Sequence, residues 1–283
     1  MYAVTGITGQ VGGAVARHLL AAGQPVRAVV RDEAKGASWK ARGCEVALAD
    51  LADPTAVASA LQGVAAAFVL IPPMFDPSPG FPEIHALIDK LRTGLLDAGP
   101  GSVVCLSTIG AQATQPNLLT QLGLVEQALG ELPMPVAFLR AAWFMENAVW
   151  DVPAARAGVV RSFLQPLDKP VPMVATNDIG RLGATMLQES WTGRRVVELE
   201  GPSRPSPNDV AAAFTRVLGH PVRMEVEPRE GWEALFRAQG MRNPTPRARM
   251  LDGFNQGWIE FEGTALRGTT PIETVLADLA ARG

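Results

Sequence analysis

The sequence predicts an α/β fold: a doubly wound parallel sheet with helices on both faces, and a smaller mixed α/β lobe towards the C-terminus. Three observations predict it. Short apolar runs typical of buried parallel strands alternate with segments whose apolar residues recur at helical spacing. A glycine-rich turn joins the first strand to the first helix. The chain of 283 residues, 47% hydrophobic, can bury a large core without splitting into independent domains.

We expect one compact unit with a sheet of roughly six or seven strands. Residues 1–150 should form the sheet-based domain, and residues 151–283 a smaller lobe that is interleaved with it on the substrate side. Strands are predicted at residues 2–4, 26–30 and 45–49, and helices at residues 54–61 and 82–98.

The first turn carries the strongest functional signal. Its glycines have the spacing G-x-x-G-x-x-G between an apolar strand and an amphipathic helix, and a second strand completes a β-α-β unit. The first turn of a helix leaves N–H groups without partners, so it stabilises a pyrophosphate that no side chain blocks. The turn predicts a Rossmann-type dinucleotide site, with a purely structural turn as the alternative. The expected contacts are Gly6, Thr8, Gly9, Gln10, Val11 and Gly12.

The end of the second strand is where such folds distinguish NADP from NAD. An arginine there accommodates the 2′-phosphate of NADP, whereas an acidic residue binds the ribose hydroxyl of NAD. Arg31 lies at this point and favours NADPH, with Lys35 as a further contact. The acidic pair Asp32-Glu33 keeps NAD open as the alternative.

Later strand ends should complete the site, because the carboxyl ends of parallel strands meet at one edge. The expected cofactor contacts are Asp50, Leu51, Ile71, Pro72 and Ser107. For Asp50, local capping is the alternative. The expected substrate contacts are Met74, Phe75, Ile109, Trp143, Phe144 and Asn147. For these large side chains, core packing is the alternative.

Composition excludes several other classes of function. The formal net charge of −3 gives no basic face for direct nucleic-acid binding. The three histidines and two cysteines lack metal-ligand spacing, so no metal site is expected. No apolar run reaches the ~18 residues of a membrane span. The first predicted strand begins at residue 2, without a charged leader before it, so we expect a cytoplasmic protein. We expect it to be either a monomer or a homodimer.

The motifs TGITGQVG, VLIPP, LSTIGA and RAAWFMEN, together with Arg31, resemble those of the NmrA-like group of atypical short-chain dehydrogenases/reductases. The resemblance covers essentially the whole chain. It implies an NADPH-dependent oxidoreductase of quinones or similar flat electrophiles. The alternative it implies is a non-enzymatic NADP(H)-sensing regulator that acts on a protein partner.

Ordinary members of that superfamily use a Tyr-x-x-x-Lys pair to move the proton. Here Leu118 and Leu122 stand at those positions, and the only tyrosine is Tyr2 in the first strand. We therefore assign no catalytic residue. A quinone accepts hydride readily, so cofactor positioning and water would suffice for its reduction. In the second half, Asp178 is expected to cap a helix over residues 179–187.

Overall fold

A computed structural model describes residues 1–282; Gly283, the last residue of the predicted C-terminal lobe, lies outside the described residues. The strands, in chain order, are β1 (Tyr2–Val4), β2 (Val26–Val30), β3 (Glu45–Leu48), β4 (Ala66–Val69), β5 (Val103–Thr108), β6 (Val136–Ala141), β7 (Trp143–Phe144), β8 (Val159–Ser162), β9 (Met173–Val174), β10 (Arg194–Glu200), β11 (Arg223–Val226) and β12 (Leu266–Arg267).

The helices, in chain order, are α1 (Gln10–Ala21), α2 (Glu33–Lys40), α3 (Pro54–Leu61), α4 (Pro82–Ala98), α5 (Thr120–Leu129), α6 (Val152–Arg156), α7 (Thr176–Leu187), α8 (Pro207–Leu218), α9 (Trp232–Ala238), α10 (Thr245–Gln256) and α11 (Ile272–Arg282). Two short 3₁₀ helices lie at Met145–Trp150 and Arg229–Gly231.

Within residues 1–282, eight strands form one all-parallel sheet in the order β12-β10-β6-β5-β4-β1-β2-β3. Two parallel pairs, β7 with β9 and β8 with β11, lie outside it. The predicted α/β class is therefore confirmed, with one strand more than expected. The additional strand is the two-residue β12, which pairs with the end of β10 and is too short to leave an apolar pattern.

The two faces of the sheet are buried under separate helical layers. Helices α1, α2 and α7 cover one face, where Phe68 of β4 is fully buried. Helices α3, α4 and α5 cover the other face, where Phe138 of β6 is fully buried. Burial on both faces explains why these strands read as continuous apolar runs.

A third apolar core lies among the elements that follow residue 145. Trp232, Phe236 and Phe214 are fully buried there, and Ile109, from the end of β5, packs into the same core. This core therefore packs against the edge of the main sheet where β5 ends.

Helices α1 and α7 pack unusually closely, and a glycine makes this possible. A Cβ atom on Gly180 of α7 would lie 2.3 Å from the Cβ of Ala14 and 2.7 Å from its carbonyl carbon. Both distances are far inside van der Waals contact. Because α1 begins at the glycine-rich turn, this contact fixes where the turn lies relative to the sheet.

The substitution Gly180→Ala should lower the free energy of unfolding by about 2–3 kcal/mol, because the added methyl group forces α1 and α7 apart. Gly231→Ala is the matched control, since no atom lies within 4 Å of the position of its Cβ. Urea unfolding of both variants measures the difference. Equal free energies of unfolding for the two variants would show that α1 and α7 can move apart without loss of stability.

Candidate functional site

The ends of β1, β4, β5 and β6 are tied together at one edge of the main sheet. The Oγ1 of Thr5 accepts a hydrogen bond of 2.9 Å from the N–H of Leu70, which fixes the end of β1 against the end of β4. The N–H of Ile109 donates to the carbonyl of Ala141 at 2.8 Å. These bonds hold the edge in a fixed shape before any ligand arrives.

The glycine-rich turn has the geometry that a pyrophosphate requires. Gly6 has a φ of +59°, a left-handed conformation that favours glycine, and it turns the chain sharply out of β1. A Cβ on Gly12 would lie 2.4 Å from the carbonyl oxygen of Gly6, so only glycine lets α1 approach the strand. Both glycines are required by the backbone path itself.

Gly9 differs from the other two because a Cβ there would meet a single atom, the carbonyl oxygen of Gly6 at 3.3 Å. It caps α1 without any side-chain hydrogen bond, and Thr8, Gly9 and Gln10 are exposed. The N–H groups of Gln10, Val11 and Gly12 find no acceptor within residues 1–282. These free donors at a helix N-terminus fit a dinucleotide pyrophosphate.

Val11 takes part in this turn only through its backbone. Its side chain is 3% exposed and belongs to the core beneath α1. The sequence pattern could not separate the two roles, because a residue can be buried by its side chain and available through its N–H.

At the end of β2, Arg31 is exposed and forms no ion pair with any residue of the described chain. Asp32 is engaged: its carboxylate caps α2 by accepting a 2.9 Å hydrogen bond from the N–H of Lys35. That bond is the main cause of the lowered pKa of Asp32. The ammonium of Lys35 lies 3.5 Å from the same carboxylate. Arg31 is therefore free for an anion, whereas Asp32 and Lys35 are partly occupied by each other.

The remaining predicted cofactor residues occupy varied environments. Asp50 is exposed, and its carboxylate accepts a 2.9 Å hydrogen bond from the N–H of Ala52, as the capping alternative expects. Leu51 and Ile71 are partly buried against the core under α3 and α4, and Pro72 is exposed.

Ser107 is 4% exposed and donates its hydroxyl proton to the carboxylate of Glu126 at 2.6 Å. This places its hydroxyl on the sheet face under α5. The hydroxyl therefore already has a partner inside the protein.

The carboxylate of Glu126 belongs to a buried ion cluster that the sequence did not reveal. Glu126 accepts two hydrogen bonds from Arg140, at 2.8 and 2.7 Å, and one from Arg194 at 3.2 Å. Arg140 also pairs with Glu198 at 3.5 Å and with Glu262. Burial alone would lower the pKa of Arg140, but the hydrogen bonds to the carboxylates raise it. Arg140 is therefore a permanent charge that ties β5, β6 and β10 together.

Among the predicted substrate residues, Trp143 is the best placed. It is partly buried and meets the ring of Phe254 from α10 edge to face, with centroids 5.3 Å apart. Ile109 is 1% exposed in the same core, whereas Phe144 packs against the core beneath α1. Trp143, two residues after β6, is thus held against the buried ring of Phe254, which is 5% exposed.

The proline-rich segment after β4 is anchored at two points. The carbonyl of Met74 accepts a 3.0 Å hydrogen bond from the side chain of Gln121 in α5. Asp76 accepts from the N–H groups of Arg242 and Asn243, and these bonds lower its pKa. Between the anchors, Phe75 is 62% exposed.

The segment after β7 also leaves predicted and unpredicted residues at the surface. Asn147 is exposed, and Trp150 is 85% exposed. The carboxylate of Asp151, the next residue, accepts no hydrogen bond within residues 1–282. Burial raises its pKa to about 6. No pattern in the sequence distinguished this carboxylate.

The prediction that Asp178 caps a helix over residues 179–187 was wrong. Helix α7 begins at Thr176, and Glu146 caps it by accepting hydrogen bonds of 2.9 and 2.6 Å from the N–H and hydroxyl of Thr176. Asp178 instead accepts 2.9 Å bonds from the N–H groups of Thr269 and Thr270, which keep its pKa low despite burial. An acceptor 30 residues before the helix cannot be read from local sequence.

The two positions of the absent Tyr-Lys pair lie where the resemblance expects them, before and within α5. Leu118 is 6% exposed, and its N–H donates to the carbonyl of Pro246 at 2.9 Å. Leu122 is partly buried. Tyr2 is the first residue of β1 and therefore lies at the amino ends of the strands, away from the carboxyl ends that form the candidate site. Neither leucine can move a proton.

Residues 1–282 contain neither a membrane-spanning helix nor a cluster of metal-binding side chains. No helix there is long and apolar enough to cross a membrane. The same residues contain no group of three or more His, Cys, Asp or Glu side chains that could hold a metal ion.

Comparison with known proteins agrees with the fold and the turn. Residues 2–89 match the model of the NmrA-like family. An NAD(P)H azoreductase of Xenophilus azovorans is 31% identical over 243 residues, which are 85% of this chain and 82% of that protein. Quinone oxidoreductase 2 of Escherichia coli (strain K12) is 27% identical over 254 residues, covering 89% of this chain and 85% of that protein.

Among solved structures, an NADPH-dependent quinone oxidoreductase of Escherichia coli in complex with NADPH superimposes with a TM-score of 0.82. It is 25% identical, and the match covers 99% of each chain. The glycine-rich turn, the parallel sheet and these relatives agree over most of the length of the chain. The protein belongs to the NmrA-like family.

Proposed function

We propose that the protein is an NADPH-dependent oxidoreductase that reduces quinones or similar flat electrophiles. The free N–H groups at the start of α1, which Gly9 caps without a side chain, are the observation that carries this proposal. The names of the relatives support it, because one is an NAD(P)H azoreductase and another is an NADPH-dependent quinone oxidoreductase.

Arg31 supports NADPH as the preferred cofactor. Its guanidinium has no internal partner and stands where a 2′-phosphate would be bound, and an arginine fits a phosphate with two parallel hydrogen bonds. The carboxylate that would select NAD, Asp32, is already used to cap α2. At this position, the guanidinium of Arg31 is thus available to a ligand, whereas the carboxylate of Asp32 is already hydrogen-bonded within the protein.

The two parts of the chain have different roles, one in cofactor binding and the other in substrate binding. Residues 1–150 hold the cofactor through the turn and the strand ends, and residues 151–283 shape the substrate side with helix α10 above Trp143. NADPH, when bound, supplies a hydride. The partly buried indole of Trp143, held in place by Phe254, offers an apolar surface against which a quinone ring can lie.

The absence of a proton donor at Leu118 and Leu122 fits such a substrate. Hydride addition turns a quinone into an aromatic hydroquinone anion, and one proton from water completes the hydroquinone. An ordinary ketone would form a much more basic alkoxide and would need a positioned acid. The leucines therefore favour electrophiles that become aromatic on reduction.

A specific observation also favours a second function, a non-enzymatic NADP(H)-sensing regulator. The usual proton donors are missing, and Ser107 is bound to Glu126 rather than open to the cleft. The exposed side chains of Phe75 and Trp150 would suit contact with a protein partner. Turnover separates the two functions.

Purified protein should oxidise NADPH in the presence of neutral benzoquinones and naphthoquinones, with saturation and a turnover number of about 10 s⁻¹. Absorbance at the NADPH band measures the rate, and NADH run in parallel should be the poorer reductant. Calorimetry of NADPH binding is the control. A protein that binds NADPH tightly but oxidises it with no quinone would be the sensor.

Arg31→Ala should weaken NADPH binding by about tenfold to a hundredfold, because a charge-assisted hydrogen bond to the 2′-phosphate is lost, and should leave NADH binding unchanged. Arg42→Ala is the matched control, since Arg42 is also exposed and only stacks on Trp39. Calorimetric titration measures both cofactors. Equal losses for NADPH and NADH would remove Arg31 from the 2′-phosphate site.

A further inference from the structure

Arg247, in the first turn of α10, is a partly buried cation without an anionic partner. Its guanidinium lies 4.3 Å from the centre of the Phe236 ring, and its Nη1 lies 3.7 Å from the sulfur of Met241. Within residues 1–282 it donates to no oxygen atom and pairs with no carboxylate. An aromatic face and a thioether are weak partners for a charge that needs up to five hydrogen-bond acceptors.

The other arginines show how unusual this is. Each of the other seven arginines in the described chain that are of intermediate or low exposure has a carboxylate oxygen within 4 Å. They are Arg27, Arg92, Arg140, Arg195, Arg204, Arg229 and Arg249. Among residues 1–282, Arg247 is therefore the one arginine of intermediate or low exposure that has no carboxylate partner.

An unpaired, sheltered cation is unfavourable for folding. Burial alone lowers the pKa of Arg247, with no opposing contribution from a nearby acid. A methionine or leucine at this position would fill the same space beside Phe236 without that cost. The guanidinium is therefore better explained by something that the protein binds than by the stability of the fold.

Helix α10 connects Arg247 to the candidate substrate site. Arg247 and Phe254 are seven residues apart, which places them two turns apart on the same side of the helix, about 10 Å along its axis. Phe254 packs edge to face on Trp143. At the other end of the helix, the carbonyl of Pro246 accepts the N–H of Leu118. Arg247 thus lies along the helix that borders the site, near the position of the absent tyrosine.

We propose that Arg247 is an anion subsite of the substrate pocket, and that the preferred substrate is a flat electron acceptor carrying a carboxylate, sulfonate or phosphate group. The inference rests on the proposed function and narrows its substrate class. The ring lies against Trp143, and the anionic group reaches along α10 to the guanidinium. Phe236 lies against one face of the guanidinium, and apart from the Nη1 contact with the Met241 sulfur its N–H groups have no partner within residues 1–282, so they can bind an anion.

Binding of a non-reducible probe tests the subsite without requiring turnover. Naphthalene-2-sulfonate should bind the wild-type protein, with or without NADP⁺, at least about tenfold more tightly than the neutral 2-naphthol. Arg247→Met should remove that difference, and Arg247→Lys should restore part of it. Arg249→Met, which removes the same charge two residues away, should retain the difference. Equal effects of the Met substitutions at 247 and 249 would overturn the subsite.

A structural role for Arg247 would give different results. Because the guanidinium has no internal partner, Arg247→Met should keep or raise the midpoint of thermal unfolding and leave NADPH affinity unchanged. A lower midpoint would assign the arginine to the fold, and a loss of NADPH affinity would assign it to the cofactor. Either result contradicts the proposal.

Turnover of a matched pair then connects the subsite to the reaction. With NADPH, 1,2-naphthoquinone-4-sulfonate should have a KM at least about tenfold below that of 1,2-naphthoquinone, and Arg247→Met should abolish the difference through KM. If neither quinone is reduced while sulfonate binding still depends on Arg247, the proposed function fails and the subsite stands. If both are reduced with the same KM by wild type and variant, the subsite fails and the proposed function stands.

Discussion

The structure depends first on how closely α1 approaches the backbone of β1. Two glycines make that approach possible from opposite sides of the helix. Gly12 faces the carbonyl of Gly6, and Gly180 of α7 faces Ala14. With any side chain at these points, α1 would move outward and its first N–H groups would no longer converge above the strand ends. Close packing and anion binding are thus consequences of one backbone constraint.

A second constraint is the buried charge cluster around Arg140. Cross-strand pairing sets Ser107, Arg140 and Glu198 side by side on β5, β6 and β10, and Glu126 of α5 closes over them. Removing one member of such a cluster leaves a buried charge without its partner, which is strongly destabilising. The cluster therefore rigidifies the strand ends near the substrate side. It also binds the Ser107 hydroxyl, so the rigidity of this edge comes without a free proton donor.

What the sequence could predict follows from the range of the interactions involved. The strands, the helices and the glycine-rich turn depend on neighbours within a few residues, and the structure has them at or near the predicted positions. The ion cluster joins Glu126, Arg140 and Glu262, which are far apart in the chain, so no local pattern reveals it. The misassigned cap of α7 has the same cause. Arg247 escaped notice because an unpaired arginine is recognised only when its surroundings are known.

The predicted contacts of the site lie in different environments. Thr8, Gly9, Gln10 and Arg31 are exposed, and the side chains of Thr8, Gln10 and Arg31 have no hydrogen-bond partner within residues 1–282, as ligand contacts should be. Ser107 is buried and hydrogen-bonded within the protein, which suits a structural position better. Spacing in a sequence places a residue at a strand end, but the direction of its side chain depends on the partners that tertiary structure brings.

Calorimetric titration of NADPH into the Gly9→Val variant shows whether the glycine-rich turn binds the pyrophosphate of the cofactor. Gly9 has φ −90° and ψ −178°, an extended conformation that valine adopts, and a Cβ there would meet only the Gly6 carbonyl, at 3.3 Å. The variant should therefore fold, with an unfolding midpoint only slightly below that of the wild type because the Gly6 carbonyl must shift a little. We predict that its affinity for NADPH and NADH falls by at least about a hundredfold, because the side chain fills the space of the pyrophosphate. A folded variant that binds NADPH as the wild type does would contradict the account.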